Sequence, residues 1–167
     1  MKSSFTKFDK DEIKLLQYSI LWVFTGVASI DRSIDYKEIH AFDITLKNFK
    51  EFSSSVFQNC LKLLYRNISH SLQEFEHDQR TIFAGLNETG LLLRNNLSSS
   101  EMNKIINDYL SFALIIGFAS GRLLSAKLSE EEKMIIEEIA NALGFSNEFH
   151  EKLPSLIEFA ERLLKKI

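Results

Sequence analysis

The sequence predicts an all-α protein, a single-domain bundle of about seven helices. Apolar residues recur with a period near 3.6 through most of the chain, and no stretch shows sustained period-2 alternation bounded by turn signals. Proline occurs once and glycine six times in 167 residues, so few positions interrupt helices. No proline-rich, glycine-rich or low-complexity linker divides the chain, and one domain is expected over residues 1–167.

The first helix is predicted to begin near Asp9. Asp9 and Glu12 have the spacing of a capping box, in which each side chain accepts a hydrogen bond from the other residue's backbone amide. The apolar residues that follow at helical spacing are Ile13, Leu16, Ile20, Val23, Phe24 and Val27. Leu15, Tyr18 and Trp22 widen this stripe to a second face, so the helix must be covered on two sides.

The next three helices are predicted over Asp35–Phe52, Val56–Glu76 and Asp78–Leu97. The apolar stripe of the second helix consists of Ile39, Phe42, Leu46 and Phe49. Gly85 and Gly90 fall inside the fourth helix, and each costs about 1 kcal/mol relative to alanine in a helix interior. A break of the fourth helix near Gly90 is therefore an open alternative.

The fifth helix is predicted to begin at Ser98, which forms a second capping-box pattern with Glu101. Its second half, Leu110–Ser120, is apolar nearly all round. A helix with apolar residues on every side is buried on every side, so this is expected to be a second central helix beside the first.

The last two helices have clear end signals. Ser129 with Glu132 is a further capping-box pattern, and Gly144 is suited to end the sixth helix in a left-handed conformation. Pro154 is a favourable first residue for the final helix, which continues with apolar residues at helical spacing.

Composition and charge argue against several classes of protein. The net charge is −3 and basic residues cluster only at Lys165–Lys166, so no nucleic-acid partner is predicted. The longest apolar runs, Ile20–Ile30 and Leu110–Ser120, fall short of the ~20 residues that span a bilayer, and the first residues lack a signal-peptide pattern. The lone Cys60 is predicted to be a buried structural thiol. A cytoplasmic protein is expected.

No enzymatic activity is predicted. The sequence has no recognisable nucleophile with a base, no glycine-rich phosphate loop and no zinc motif. His70, Glu74 and His77 lie at i, i+4 and i+7 on one helix face and form an alternative metal site, which would suit a metal-dependent hydrolase. The same spacing arises by chance on a solvated helix end.

The acidic residues between the first two helices have two interpretations. Asp35 and Glu38, like Ser129 and Glu132, fit capping boxes that also gain from the helix dipole. Asp31 is not explained by a cap. It is predicted either to bind loop amides or to join Glu38 as an oxygen ligand of a divalent cation.

Two segments resemble the tellurite-resistance TerB family of bacterial helical domains. The first is VASIDRSIDYKEIHAF, residues 27–42, and the second is SAKLSEEEKMIIEEIANALGFSNEF, residues 125–149. Together they cover about a quarter of the chain. The chain differs from the family pattern at Arg32 and Ala126, where the family has glycine, and at Ser125, where it has aspartate.

This resemblance implies a bundle built from two related halves whose acidic residues gather on one side and bind a divalent cation such as Ca²⁺. The residues it nominates are Asp31 and Glu38 from the first half and Glu132 from the second, with Asp35 beside them in the same loop.

Two non-enzymatic functions follow as hypotheses. The first is a TerB-like module that binds a divalent cation or a protein partner through this acidic face, in a bacterial stress-response or membrane-associated assembly. The alternative is a helical protein-interaction or dimerisation domain without an ion. In that alternative, apolar residues of the first helix and of Phe149–Leu163 leave an exposed groove.

Overall fold

The computed structural model describes residues 4–31, 33–120 and 128–166. Its α-helices are α1 (Lys10–Ala28), α2 (Tyr36–Lys47), α3 (Ser55–Arg66), α4 (Ile68–Glu76), α5 (Ile82–Asn96), α6 (Ser99–Ser120), α7 (Glu130–Leu143) and α8 (Ser146–Leu164). Three short 3-10 helices cover Ser4–Lys7, Ser29–Asp31 and Phe49–Glu51. The described part of the chain contains no β-strand, so the predicted all-α class is confirmed.

The two central helices are α1 and α6, as predicted, and they pack against each other. From Leu110 to Ile116, every side chain of α6 is buried, because α1, α2, α3, α7 and α8 all contact this helix. Ser19 of α1 and Tyr109 of α6 share a buried hydrogen bond through their hydroxyl groups at 2.5 Å. Apart from Ile44, the buried hydrophobic side chains from Phe8 to Leu163 belong to one continuous core.

The capping boxes at α1 and α6 form as predicted. The amide of Asp9 donates to Oε2 of Glu12 at 2.9 Å, and the amide of Glu12 donates to Oδ1 of Asp9 at 2.8 Å. At α6, the amide of Ser98 donates to Oε2 of Glu101 at 2.8 Å, and the amide of Glu101 donates to the Ser98 hydroxyl at 3.3 Å. Four residues of sequence therefore suffice to locate these helix starts.

The predicted second and third helices are each longer than the helices observed. α2 ends at Lys47, and a 3-10 turn over Phe49–Glu51 takes the chain to α3. The predicted helix Val56–Glu76 is broken at Asn67, whose backbone has φ −132° and ψ 33°. This break makes α4 a separate helix.

The fourth helix begins later than predicted, and it does not break. Thr81 is its N-cap, since the Thr81 hydroxyl accepts the amide of Ala84 at 3.2 Å, while Asp78 binds the guanidinium of Arg80 at 2.6 Å. Gly85 and Gly90 lie within a continuous helix, where each allows a close approach. A β-carbon on Gly85 would lie 2.4 Å from the Trp22 ring, and one on Gly90 would lie 2.4 Å from the Leu143 carbonyl oxygen.

The last helix begins before Pro154, which was predicted to start it. α7 ends at Gly144 with φ 85°, as predicted, and α8 begins directly after Phe145. Pro154 is inside α8. Phe149, which precedes Pro154 by more than a turn, is buried in the core, and this packing offsets the hydrogen bond that proline cannot donate.

The environment of Cys60 agrees with the prediction of a structural thiol. Cys60 is a free, buried cysteine on α3. Burial raises the pKa of its thiol far above the usual range, which keeps it protonated and unreactive.

No helix in the described ranges combines the length and the apolar character needed to cross a membrane.

Candidate functional site

The predicted acidic loop leads into a buried capping box at the start of α2. The amide of Asp35 donates to Oε2 of Glu38 at 2.9 Å, and the amide of Glu38 donates to Oδ1 of Asp35 at 3.0 Å. Glu38 is only 1% exposed. A carboxylate in this position satisfies amides that have no partner within the helix and interacts favourably with the helix dipole.

The start of α7 repeats this arrangement. The amide of Ser129 donates to Oε2 of Glu132 at 3.4 Å, and the amide of Glu132 donates to the Ser129 hydroxyl at 3.1 Å. Glu132 is 8% exposed. It lies against α6, since a β-carbon built on Gly117 would be 3.8 Å from its Oε2. Glu38 and Glu132, which are predicted as cation ligands, thus form caps at equivalent positions of two helices.

The predicted cation site cannot be assembled from these caps alone. The backbone of Asp31 ends the 3-10 helix Ser29–Asp31, while its side chain, together with Arg32, Ser125 and Ala126, lies outside the described residues. Among the side chains that are described, no three of the histidine, cysteine, aspartate and glutamate residues are grouped to hold a metal ion. The cation site stays a prediction.

The three residues of the alternative histidine site lie on α4 and at its C-terminal end. His70 and Glu74 lie on α4 with 3.6 Å between Nε2 and Oε1, and Glu74 also binds Nζ of Lys14 on α1 at 3.1 Å. His77 is the C-cap of α4. The carboxylate of Glu74 is therefore paired with Lys14 at the surface and also lies beside the imidazole of His70.

A third buried carboxylate, Asp108 of α6, is absent from the sequence predictions. It accepts the amide of Ser53 at 3.0 Å and the amide of Ser54, the N-cap of α3, at 2.6 Å. Burial raises the pKa of Asp108 to about 7, although these two hydrogen bonds act in the opposite direction. Its partners are more than fifty residues away in sequence, so no local pattern could have identified this role.

An apolar groove lies on the surface over α1, between α2 and α4. Its volume is about 590 Å³. The apolar groove is lined by Leu21, Phe24, Thr25, Ile34, Ile39, Phe42, Asp43, Leu46, Tyr65, Ile68, Leu72, Phe75 and Glu76.

Aromatic contacts attach α2 and α4, the two walls of the groove, to α1, which forms its floor. Phe42 of α2 stacks on Phe24 of α1 with 4.7 Å between ring centroids. Phe75 of α4 packs edge-on against Tyr18 of α1 with 5.4 Å between ring centroids, and its ring is tilted against that of Trp22 at 5.9 Å. α2 and α4 are therefore fixed on opposite sides of the same helix, and the face of α1 between them forms the floor.

The rim of the groove exposes large hydrophobic side chains. Ile39 of α2 is 53% exposed and Tyr65 of α3 is 48% exposed. Ile34 and Leu72 also line the groove and are more than 40% exposed. Contiguous exposed apolar surface of this kind is typical of binding sites, whereas single exposed hydrophobic residues are common everywhere.

The charged residues that line the groove, within the described part of the chain, are both carboxylates. Asp43 on α2 is paired with Lys47 at 2.7 Å, and both side chains are about half exposed. Glu76 is the last residue of α4 and forms no ion pair with a described residue. The groove therefore combines an apolar interior with negative charge at its edges.

The sequence pointed to an exposed apolar surface but did not locate the groove. The first helix does supply its floor, as the interaction-domain hypothesis proposed. The apolar residues of Phe149–Leu163, proposed for the same role, are instead largely buried, because α8 packs along α6. The walls could not be predicted, since the break at Asn67 determines where α4 lies.

Comparisons of the chain with protein-family models, with curated proteins and with solved structures each gave no match. The resemblance to the TerB family accordingly stays a prediction.

Proposed function

We propose that this protein is a helical protein-interaction domain that holds an apolar segment of a partner protein in the apolar groove. The observation that supports this function is the groove itself, with half-exposed side chains such as Ile39 and Tyr65 on its rim. An apolar groove between helices is a recurring recognition site for amphipathic helices.

The openness of the groove favours a protein segment over a small molecule. Pockets for small ligands enclose most of the ligand surface and place a few polar groups to orient it. Here the rim side chains remain half exposed and the charged groups are at the edges, so much of a small ligand would stay in water. A protein segment instead covers the rim as well as the floor.

A peptide-display selection tests this function. Helical peptide libraries are selected for binding to the wild-type protein, and enriched peptides are then tested on Ile39→Asp and on the control Met134→Asp. Met134 is exposed on α7, distant in sequence from every groove residue. We expect the enriched peptides to bind Ile39→Asp at least tenfold more weakly than the wild type, a loss of about 1.4 kcal/mol. Their affinity for Met134→Asp should equal that for the wild type. A selection whose winners bind both variants equally would contradict the proposal.

The second candidate function is the TerB-like module, built from two related halves, that binds a divalent cation. Its supporting observation is the equivalence of the buried capping boxes at α2 and α7, which are the helices that follow the two central helices. α2 packs on α6 and α7 packs on α1, so each half contributes to covering the other. The proposed ligands are Asp31, Asp35, Glu38 and Glu132, and a cation-dependent protein partner would belong to a stress-response or membrane-associated assembly.

Calorimetric titration of chelator-treated protein with Ca²⁺, Mn²⁺ and Zn²⁺ tests this candidate. Asp31→Ala is the informative variant, because it removes a proposed ligand without breaking either capping box. Binding that disappears in Asp31→Ala would support an ion site. Wild-type protein that takes up none of the three ions would leave Asp31 without a role in binding.

A further inference from the structure

We infer that the segment bound in the apolar groove is a basic amphipathic α-helix, with apolar anchors about one and two turns apart and lysine or arginine residues beside them. This inference rests on the proposed interaction function and specifies its partner. It follows from the dimensions of the groove and from the sign of its charges.

The groove walls have the length of two helical turns. Ile39 to Leu46 on α2 and Ile68 to Phe75 on α4 each extend over about 10 Å at 1.5 Å per residue. Two turns of an incoming helix present apolar residues at i, i+3 or i+4, and i+7, and these match walls of that length. The partner helix would pack on α1 between α2 and α4, whose aromatic side chains contact this helix.

The floor of the groove also has the spacing that helix packing requires. Leu21, Phe24 and Thr25 of α1 are at i, i+3 and i+4, so their side chains form the ridges between which another helix places its own. The hydroxyl of Thr25 donates to the carbonyl oxygen of Leu21 at 2.9 Å. Its polar group is therefore satisfied within α1, and its methyl group is available for apolar contact.

The charges at the edges favour a basic partner. Asp43 and Glu76 are on opposite walls, so a helix between them would have a carboxylate on each side. Glu76 is also at the C-terminal end of α4, where the helix dipole adds partial negative charge. Lys47 is the counter-ion of Asp43, but this pair is exposed, and such pairs exchange partners at little cost.

An acidic or fatty-acid ligand fits this site less well, because its carboxylate would meet Asp43 or Glu76. Lysine and arginine suit it better, since their long stems cover apolar rim residues while their charged ends reach the carboxylates. Electrostatic complementarity of this kind selects among partners and accelerates association more than it adds affinity.

The test uses two synthetic 18-residue helical peptides with the same leucine face and with either lysine or glutamate on the polar face. Their binding is measured by fluorescence anisotropy at low ionic strength, where charge selectivity is largest. We expect the leucine–lysine peptide to bind at least tenfold more tightly than the leucine–glutamate peptide. Ile39→Asp should abolish binding of the leucine–lysine peptide.

Two double variants isolate the contribution of the rim charges. Asp43→Asn with Glu76→Gln removes both groove carboxylates, and Glu130→Gln with Glu131→Gln removes the same charge from the exposed start of α7. The control resembles the rim pair, since Glu130 is paired with Lys133 at 3.3 Å as Asp43 is with Lys47. We expect the rim variant to reduce the peptide preference to less than about threefold and the control to retain it.

The outcomes separate this inference from the proposed function. If both peptides bind equally and both are lost in Ile39→Asp, the groove binds helices but the basic partner is wrong. If neither peptide binds, or if the rim variant still prefers the leucine–lysine peptide, the inference is overturned. The display selection would then still test whether the groove binds a protein segment. A dimer in sedimentation that Ile39→Asp dissociates would assign the groove to a second copy and would also overturn it.

Discussion

The carboxylates at the helix starts and the carboxylates at the apolar groove differ in what their surroundings allow them to do. Glu38, Glu132 and Asp108 are buried, and each accepts hydrogen bonds from backbone amides at the start of a helix. Asp43 and Glu76 are at the surface beside apolar side chains, with at most a lysine as partner.

This difference shows that the acids identified by sequence motifs, Glu38 and Glu132, are less accessible to a partner than Asp43 and Glu76, which belong to no motif. A buried carboxylate that accepts backbone amides contributes to stability, because removing it leaves buried donors without partners. A carboxylate at the edge of an apolar groove contributes little to folding and is accessible to a bound segment. Glu38 and Asp43 are only five residues apart on α2, so orientation toward the core or the groove decides the role.

The largest expected effect concerns Asp108, because it is a buried acid whose pKa is raised to about 7. In the unfolded chain its pKa is near the ordinary value of 3.8. Between these values the folded state binds more protons than the unfolded state, so this group makes the protein less stable as the pH rises from about 4 to about 7. The maximal slope is about 1.4 kcal/mol per pH unit.

Urea unfolding between pH 5 and pH 8 measures this dependence. Asp108→Asn lacks the ionisable group, so its free energy of unfolding should fall less over this range than that of the wild type. Asn still accepts one of the two amides through its side-chain oxygen, which keeps part of the α3 cap. Parallel profiles for the two proteins would mean that Asp108 is ionised as readily in the folded state as in water.

A smaller effect is expected at the capping boxes, where the chain provides a matched pair. Glu12 and Glu38 both accept the amide of an N-cap aspartate at 2.9 Å, but Glu38 is buried and Glu12 is partly exposed. Loss of a cap costs about 0.5–2 kcal/mol. We expect Glu38→Ala to be at the upper end of this range and Glu12→Ala at the lower end, because water can replace the exposed carboxylate. Thermal or urea unfolding of both variants measures the difference, and equal losses would show that burial does not matter at these caps.

The sequence predicted the starts of α1, α2, α6 and α7 well because a capping box is encoded within four residues. The boxes at Asp9, Asp35, Ser98 and Ser129 all form where they were predicted. The roles of long-range partners were not predictable in this way. Asp108 caps α3 from another helix, and this depends on the packing of α3 against α6 rather than on neighbouring residues.

The groove could not be predicted from the sequence, because it too depends on the packing of helices that are distant in the chain. Ile39, Phe42 and Leu46 form one apolar stripe in the sequence, yet Phe42 and Leu46 are buried while Ile39 is half exposed. Phe42 is covered by Phe24 of α1 and Phe112 of α6, whereas Ile39 faces the groove, whose other wall, α4, follows from the break at Asn67. Periodicity identifies the face of a helix that avoids water but does not reveal which part of that face remains uncovered.

The smallest expected effect on stability is that of a substitution at the rim of the groove. Glu76→Gln removes a surface charge that forms no ion pair with a described residue, so the free energy of unfolding should stay within about 0.5 kcal/mol of the wild type. The same substitution should weaken binding of the leucine–lysine peptide, and added salt should reduce the difference between variant and wild type. Urea unfolding and anisotropy titrations on one preparation measure both quantities. A large loss of stability in Glu76→Gln would contradict this expectation. It would show that the Glu76 carboxylate stabilises the folded state, as Glu38 and Asp108 do, instead of being available to a partner.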